Sequence, residues 1–404
     1  MKITAIETIQ IREYPNLIWV EVETDEGITG LGETFRGADA VAGQIHSLVA
    51  AYLLGRDPLQ IEMHSNALIN GMLGFASTGA ELRAASAIDI ALWDIFGQAM
   101  GQPIHQMLGG LSRPSVPVYN TCAGYTYNNR SVKQRQIEAG TAQKSDIGPY
   151  DDQVAFVEAA DELAHSLLEE GYGAMKIWPF DVFAEKSGGL AISAAELRQA
   201  LEPFEKIRAA VGDRIEVMCE LHSMWNLPAA KRIAKALEPM KPFWAEDPIK
   251  MNNIANLREY ADATTIPVCA SETMGPLTGF RDLLAAGATS VVMLDLGWCG
   301  GLSEARKIAA LAAAYQRPIA PHDCTGPVVL TASLHLSLHA PNTLYQEVVR
   351  AFLWGYYRDL VTDLPVVKQG LAYPMTGAGL GTKLHPGVRA RPDAIIRRSD
   401  LKGR

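Results

Sequence analysis

Three glutamates stand one repeat apart, each closing a short apolar run: Glu220 in VMCELH, Glu246 in FWAEDP and Glu272 in PVCASE. The intervals are 26 and 26 residues. A strand, a helix and two loops fill such a repeat, so the spacing predicts that all three acids end at one rim of a parallel barrel. Three carboxylates gathered there make a hard, all-oxygen site for one divalent cation, and Mg²⁺ is the expected ion. The series continues with Asp295 closing VVMLD, His322 after RPIAP and Glu347 in LYQE, at intervals of 23, 27 and 25 residues. One acid after an apolar run is an ordinary surface residue; six polar tips at one period require a common cause.

The residue types beyond the trio are those of proton transfer. Asp295 and His322 close neighbouring predicted strands, and a carboxylate beside an imidazole fixes its tautomer and raises its basicity. His222 follows Glu220 by two residues, so in an extended strand both point to the same side. Lys176, in AMKIW on the preceding strand, is placed to neutralise a carboxylate or the enediolate derived from it. Glu347 on the last strand faces inward, where it could stabilise developing charge. His335 and His339 have an i, i+4 spacing, but no glutamate follows the first, so they read as ordinary helix residues rather than zinc ligands. Cys324 reads as a semi-buried thiol. Trp178, Trp225 and Trp298 read either as pocket wall or as packing near the rim.

The elements that must position these groups are legible. KITAIETIQI and NLIWVEVETDEGITGLGETF alternate as strands, and helical periodicity follows from Val41 to Tyr52, Ile61 to Leu73 and Glu81 to Met100. This predicts an α+β domain over residues 1–112. VPVYNTC opens a second rhythm, followed by a polar stretch from Ala123 to Asp151 that is too long for a plain loop. From there strands and helices alternate: a helix over Asp152–Glu170, GAMKIW, Ala194–Ala210, IEVMCE, Pro228–Leu237, FWAED, Ile254–Ala261, PVCASE, Pro276–Ala286, SVVMLD, Leu302–Tyr315, RPIAPH, Val329–Leu338 and LYQEV. Eight strands joined by seven helices predict a (β/α)₇β TIM-like barrel over 113–350. Functional types at nearly every strand end argue against a doubly wound sheet, where they would gather at one switch point. TGAGLGTKL lacks the strand and helix context of a dinucleotide fingerprint.

The 404 residues carry 45 acids against 36 bases. That balance argues against nucleic acid and membrane surfaces as partners. Five cysteines without metal-ligand spacing point to a reducing, cytoplasmic setting, and the start has no apolar signal core. The expected partner is a small-molecule carboxylate, in a homo-oligomer.

On Glu220, Glu246, Glu272, the Asp295–His322 pair, Glu347, the segment SAIDIALWDIFGQAMGQPIHQMLGG and the terminal GAGLGTKL, the chain resembles the enolase superfamily, mandelate racemase subgroup, over nearly its whole length. The resemblance implies a barrel whose third, fourth and fifth strands carry the metal ligands and whose sixth and seventh carry the Asp-His dyad. It implies a cap to which the tail, 351–404, returns. Enolase-superfamily sites are a known case of a Lys or His base paired with magnesium. Glu220-Leu221-His222 resembles the acidic-x-His motif of the gluconate, galactonate and mannonate dehydratases. The Lys-x-Lys of many members reads Lys176-Ile177-Trp178 here, and an indole cannot take up a proton. The implied reaction is loss of the proton alpha to a carboxylate and dehydration of a sugar acid to a 2-keto-3-deoxy acid. His322 is the implied base, His222 the acid on the leaving hydroxyl, and Lys176 and Glu347 the holders of the carboxylate. Racemisation or epimerisation of a 2-hydroxy or cyclic acid is the alternative, and a noncatalytic metal- or sugar-acid-binding barrel is a third reading.

Overall fold

The computed structural model describes residues 1–71, 78–129 and 148–403. Strands β1 (Ile3–Ile11), β2 (Leu17–Thr24) and β3 (Thr29–Phe35) form an antiparallel meander. The helix Ala80–Met100 lies on this sheet. Gly30 and Gly32 make that contact possible. A Cβ at Gly30 would stand 2.1 Å from the Ala91 carbonyl oxygen, and one at Gly32 1.8 Å from that of Ala87. Two glycines at i, i+2 share one face of β3, and small residues on the helix meet them, so backbone approaches backbone.

The second unit is a ring of parallel strands. β4 (Val116–Thr121), β5 (Ala174–Ile177), β6 (Glu216–Glu220), β7 (Ala245–Glu246), β8 (Val268–Ala270) and β9 (Val291–Val292) pair in chain order. Parallel bridges Val292–Ile319 and Ile319–Thr343 carry the ring onward. β10 (Gln346–Val348) closes it by pairing with β4. The barrel interior is filled by Tyr119, Met218, Trp244 and Met293, all fully buried. Arg350, just after β10, fastens the closure: its guanidinium forks onto Asp152 at 2.7 and 2.8 Å, and its N–H donates to Asn120 on β4.

The outer helices follow the expected periodicity, with local punctuation. Ser193 and Glu196 form a capping box at the start of Ala194–Val211, and Asn226 caps Leu227–Leu237. The helix expected over Asp152–Glu170 is two, Asp152–Glu158 and Ala160–Glu169, parted at Ala159, whose ψ is 54°. The segment expected as a helix from Ile61 turns to π geometry over Ala67–Gly71, and its last two residues lie outside the described ones. The helix Pro327–His339 is buried at every position from Pro327 to Leu338, because barrel and cap both pack on it.

The tail returns. β11 (Val367–Lys368) and β12 (Leu371–Ala372) form a hairpin against β4. The Gly-rich segment docks on the cap: Leu380 N–H donates to Asp94 Oδ1 at 2.8 Å. A Cβ at Gly379 would meet that oxygen at 2.1 Å, so the glycine serves a backbone contact. β13 (Ala394–Asp400) then pairs with β1 and completes the cap sheet in the order β13-β1-β2-β3.

Candidate active site

The strand ends bring the three glutamates together. Glu220 and Glu246 are the last residues of adjacent strands and register partners, and Glu272 follows β8 by two residues. Each offers a carboxylate oxygen within 4.8 Å of the others. Glu220 Oε1 accepts from the N–H groups of Leu221 (2.9 Å) and His222 (2.6 Å). Its Oε2 is buried without a hydrogen-bond partner. Burial and the Glu220 charge push Glu246 well above the usual carboxylate range. Asp247, next in the chain, escaped the sequence reading because it follows a strand tip instead of ending one. It is buried, accepts from Ser271 Oγ at 2.7 Å, and its Oδ1 has no partner. So much buried negative charge on hard oxygens, with Glu220 Oε2 and Asp247 Oδ1 lacking any hydrogen bond, fits a cation.

Lys176 meets this cluster from β5. Its Nζ donates to Glu246 Oε1 at 2.5 Å and stands 2.9 Å from Glu347 Oε1 and 3.4 Å from Glu220 Oε2. Burial disfavours its charge, but Glu246 and Glu347 outweigh that and hold it firmly protonated. Glu347, inward as expected, also accepts from Thr121 Oγ1 and from Asp323 N–H at 2.9 Å.

Two imidazoles line the same cleft as Lys176, Glu272 and Glu347. His322 Nδ1 is 2.7 Å from Asp295 Oδ2, the pairing expected from the sequence. Asp295 is itself oriented by Gly297 N–H at 2.7 Å and Thr325 Oγ1 at 3.2 Å. The other ring nitrogen, Nε2, is 2.9 Å from Glu272 Oε2. His222 reaches the cleft by a different route from the one expected. The strand ends at Glu220, and His222 and Ser223 take left-handed φ values of 48° and 58°. The i, i+2 rule for an extended strand therefore does not place the ring; the turn wrapped around the Glu220 carboxylate does. His222 Nδ1 lies 2.6 Å from Asp181 Oδ2. Asp181 opens a short helix, Asp181–Ser187, that the periodicity did not reveal. A polar partner within reach of the AMKIW strand was the signal available. His322 is buried and His222 partly so, which lowers their pKa, but the facing carboxylates outweigh this and raise both above the usual range.

The walls are aromatic. Trp178 packs edge-on against His222 at 5.8 Å, and Trp298 lies tilted over His322 at 5.6 Å. Both line the cleft, whereas Trp225 is fully buried and does not. The cap contributes Phe35 and Arg36. Of the Ala123–Asp151 stretch, Tyr127 reaches the cleft, and residues 130–147 lie outside the described ones. Cap and barrel are joined beside the cleft by Glu33, which accepts from Trp19 Nε1 at 2.6 Å and from the N–H groups of Val328 and Val329 at 3.0 and 2.9 Å.

His335 and His339 take structural roles. His335 Nε2–H donates to the Leu380 carbonyl at 3.0 Å, and its Nδ1 accepts from the His105 backbone N–H at 3.2 Å. His339 Nδ1 lies 2.9 Å from the Gly110 carbonyl oxygen.

Comparisons with known proteins agree with this geometry. Residues 158–388 match the family model described as enolase C-terminal domain-like, and residues 3–109 match the N-terminal domain of mandelate racemase / muconate lactonizing enzyme. A D-galactonate dehydratase from Pectobacterium atrosepticum is 31% identical over 397 residues, 95% of this chain and 92% of its own length. One from Xanthomonas axonopodis pv. citri is 33% identical, over 86% and 81% respectively. The crystal structure of an enolase of the mandelate racemase subgroup from Agrobacterium tumefaciens superposes with a TM-score of 0.88 at 54% identity, covering 100% of both chains. An enolase from Sargasso Sea environmental sequencing superposes with a TM-score of 0.87 at 49% identity, covering 99% of each.

Proposed function

This chain belongs to the mandelate racemase / muconate lactonizing enzyme family of the enolase superfamily, and from that premise we propose that it dehydrates a sugar acid to a 2-keto-3-deoxy acid with the help of Mg²⁺. The observation that carries this reading is the pair of carboxylate-held imidazoles, His322 on Asp295 and His222 on Asp181, lining one cleft with Glu272 of the glutamate trio. The named relatives are D-galactonate dehydratases. The division into cap (1–112), barrel (113–350) and returning tail (351–404) is part of the same reading, as are a cytoplasmic location and a homo-oligomer. Among the described residues no helix is long and apolar enough to cross a membrane.

A proton alpha to a carboxylate is a very weak acid, so its removal needs a strong local base and a place for the charge that develops. Mg²⁺ held by Glu220, Glu246 and Glu272 would supply Lewis-acid stabilisation of that charge. Lys176 and the protein groups around Glu347 orient the substrate carboxylate. His322 takes the C2 proton, with Asp295 holding the imidazolium that results. The electron pair left on C2 forms the C2–C3 double bond, the C3–O bond breaks, and His222 gives its proton to the departing hydroxyl, which leaves as water. The enol so formed takes a proton at C3 and becomes the keto acid.

The same cleft could in principle serve epimerisation, which needs a base on each face of C2. Trp178 stands where the second lysine would be, so Lys176 or His222 would have to take that part. Incubation with a library of sugar acids in D₂O separates the readings. Keto acid supports dehydration. Deuterium at C2 without keto acid means epimerisation, and neither product across the library means a binding protein.

A further inference from the structure

The cleft continues from the glutamates to the cap. Arg36 lines it together with Lys176, Trp298 and His322, so a single space joins the catalytic groups to this guanidinium. Arg36 sits at φ 76°, a left-handed conformation uncommon for a residue with a side chain. The turn is held there from both sides. Arg36 N–H donates to Asn16 O at 2.8 Å. Trp298 Nε1 donates to Phe35 O at 2.9 Å, and Thr34 Oγ1 to Gly297 O at 2.6 Å.

A second guanidinium stands close by. Arg83, at the start of the helix Ala80–Met100, lies over the Trp298 ring at 5.9 Å. Its Nε is buried and has no hydrogen-bond partner. Burial lowers its pKa, the positive charge of Arg36 lowers it further, and the Asp295 carboxylate offsets part of this. Three cap arginines are balanced by acids: Arg389 by Glu7 and Glu21, Arg398 by Glu7 and Glu23, Arg391 by Glu13 and Asp393. Among the described residues, Arg36 and Arg83 make no ion pair with a carboxylate, and Arg83 Nε has no hydrogen-bond partner.

Arg36 faces the cleft, and Arg83 stands close enough behind it for the two positive charges to be felt together, an arrangement that suits an anion at this end. The carboxylate next to C2 is accounted for at the other end of the cleft by Lys176. We propose that Arg36 and Arg83 receive a second, distal anionic group of the substrate, so that the sugar acid this enzyme turns over carries two negative groups. This rests on the dehydration reading and narrows it, because a monocarboxylic acid such as galactonate leaves the two arginines unanswered. A guanidinium presents paired N–H donors that match a carboxylate or a phosphate bidentately. A distal carboxylate and a distal phosphate ester share that chemistry.

The test measures binding and turnover on the Mg²⁺-supplemented enzyme. Calorimetry on His322→Asn, which should bind without turning over, compares six-carbon aldonates, six-carbon aldarates and 6-phosphogluconate. At least one doubly anionic ligand should bind more tightly than any aldonate, and which one does so tells carboxylate from phosphate. Adding Arg36→Gln or Arg83→Gln should lower that affinity by about 10- to 100-fold, the usual loss when a charge-assisted hydrogen bond is removed. Arg36 is exposed, so its replacement leaves the core untouched. Aldonates that bind as tightly as every doubly anionic ligand, or a preference that survives both arginine variants, would overturn the proposal. Keto acid formed from aldonates alone overturns it too, while dehydration stands. Arginine-dependent binding with no C2 exchange or keto acid from any substrate leaves the anion site standing and removes the dehydration reading.

Discussion

His222 Nδ1 lies 2.6 Å from Asp181 Oδ2, the arrangement that His322 makes with Asp295 at 2.7 Å. The carboxylate in each case fixes which ring nitrogen carries the shared proton and turns Nε2 to the cleft, where that of His322 meets Glu272. On the proposed reading His222 is a proton carrier in its own right. His222→Asn should keep exchange of the C2 proton with solvent and lose keto acid formation on the order of 10²–10⁴-fold, the usual worth of a positioned general acid. Asp181→Asn should lose the same step to a smaller degree. Deuterium by NMR and keto acid by semicarbazone absorbance read the two steps on one sample. Keto acid at the wild-type rate in His222→Asn would mean that His322 serves as both base and acid.

His322→Asn should abolish C2 exchange and retain cation binding, because His322 supplies none of the three carboxylates although its Nε2 touches Glu272. Asp295→Asn should lose much of the exchange rate by freeing the tautomer. Exchange that persists in His322→Asn transfers the base to Lys176 or His222.

The trio should respond to its ion. Mg²⁺ at about a hundredfold excess over Kd stabilises a folded protein by about 3 kcal/mol, so the melting temperature should rise with added Mg²⁺. Glu220→Gln and Glu246→Gln should lose that rise together with turnover. Full activity in chelator-stripped enzyme would exclude the ion from the reaction.

His335 gives the protein an acid-sensitive joint. Burial lowers its pKa from 6.5 to about 3, and the His105 N–H pointing at its Nδ1 leaves no room for a second proton. The unfolded chain therefore binds a proton below pH 6.5 that the folded one refuses, so stability is lost as pH falls. At pH 5 that amounts to about 2 kcal/mol. Between pH 6.5 and 5 the melting temperature should fall more steeply in the wild type than in His335→Gln. Parallel curves would assign the acid sensitivity elsewhere.

The strand tips were legible because a barrel repeats. Glu220, Glu246, Glu272, Asp295, His322 and Glu347 share one period, and a period survives uncertainty about where each strand stops. Residues off that period were not legible. Asp181 opens a short helix, Asp247 and Arg36 lie at bends, and Arg83 lies on a cap helix, so the barrel period does not reach them. The edge strand Ala394–Asp400 was missed for a related reason: its residues are largely exposed, so no buried face impressed a pattern on them.

β13 pairs with β1, which joins the last strand of the chain to the first. The cap sheet therefore stays incomplete until the whole barrel has been synthesised. At about 5–20 residues per second, the wait is on the order of a minute. Throughout it β1 presents an open edge, the kind of surface on which strands of other chains add. The barrel holds its own contacts in nearest-neighbour order and can form meanwhile. Translation speed and chaperone supply should therefore govern the yield of this protein through its cap, while its catalytic rim is already in place.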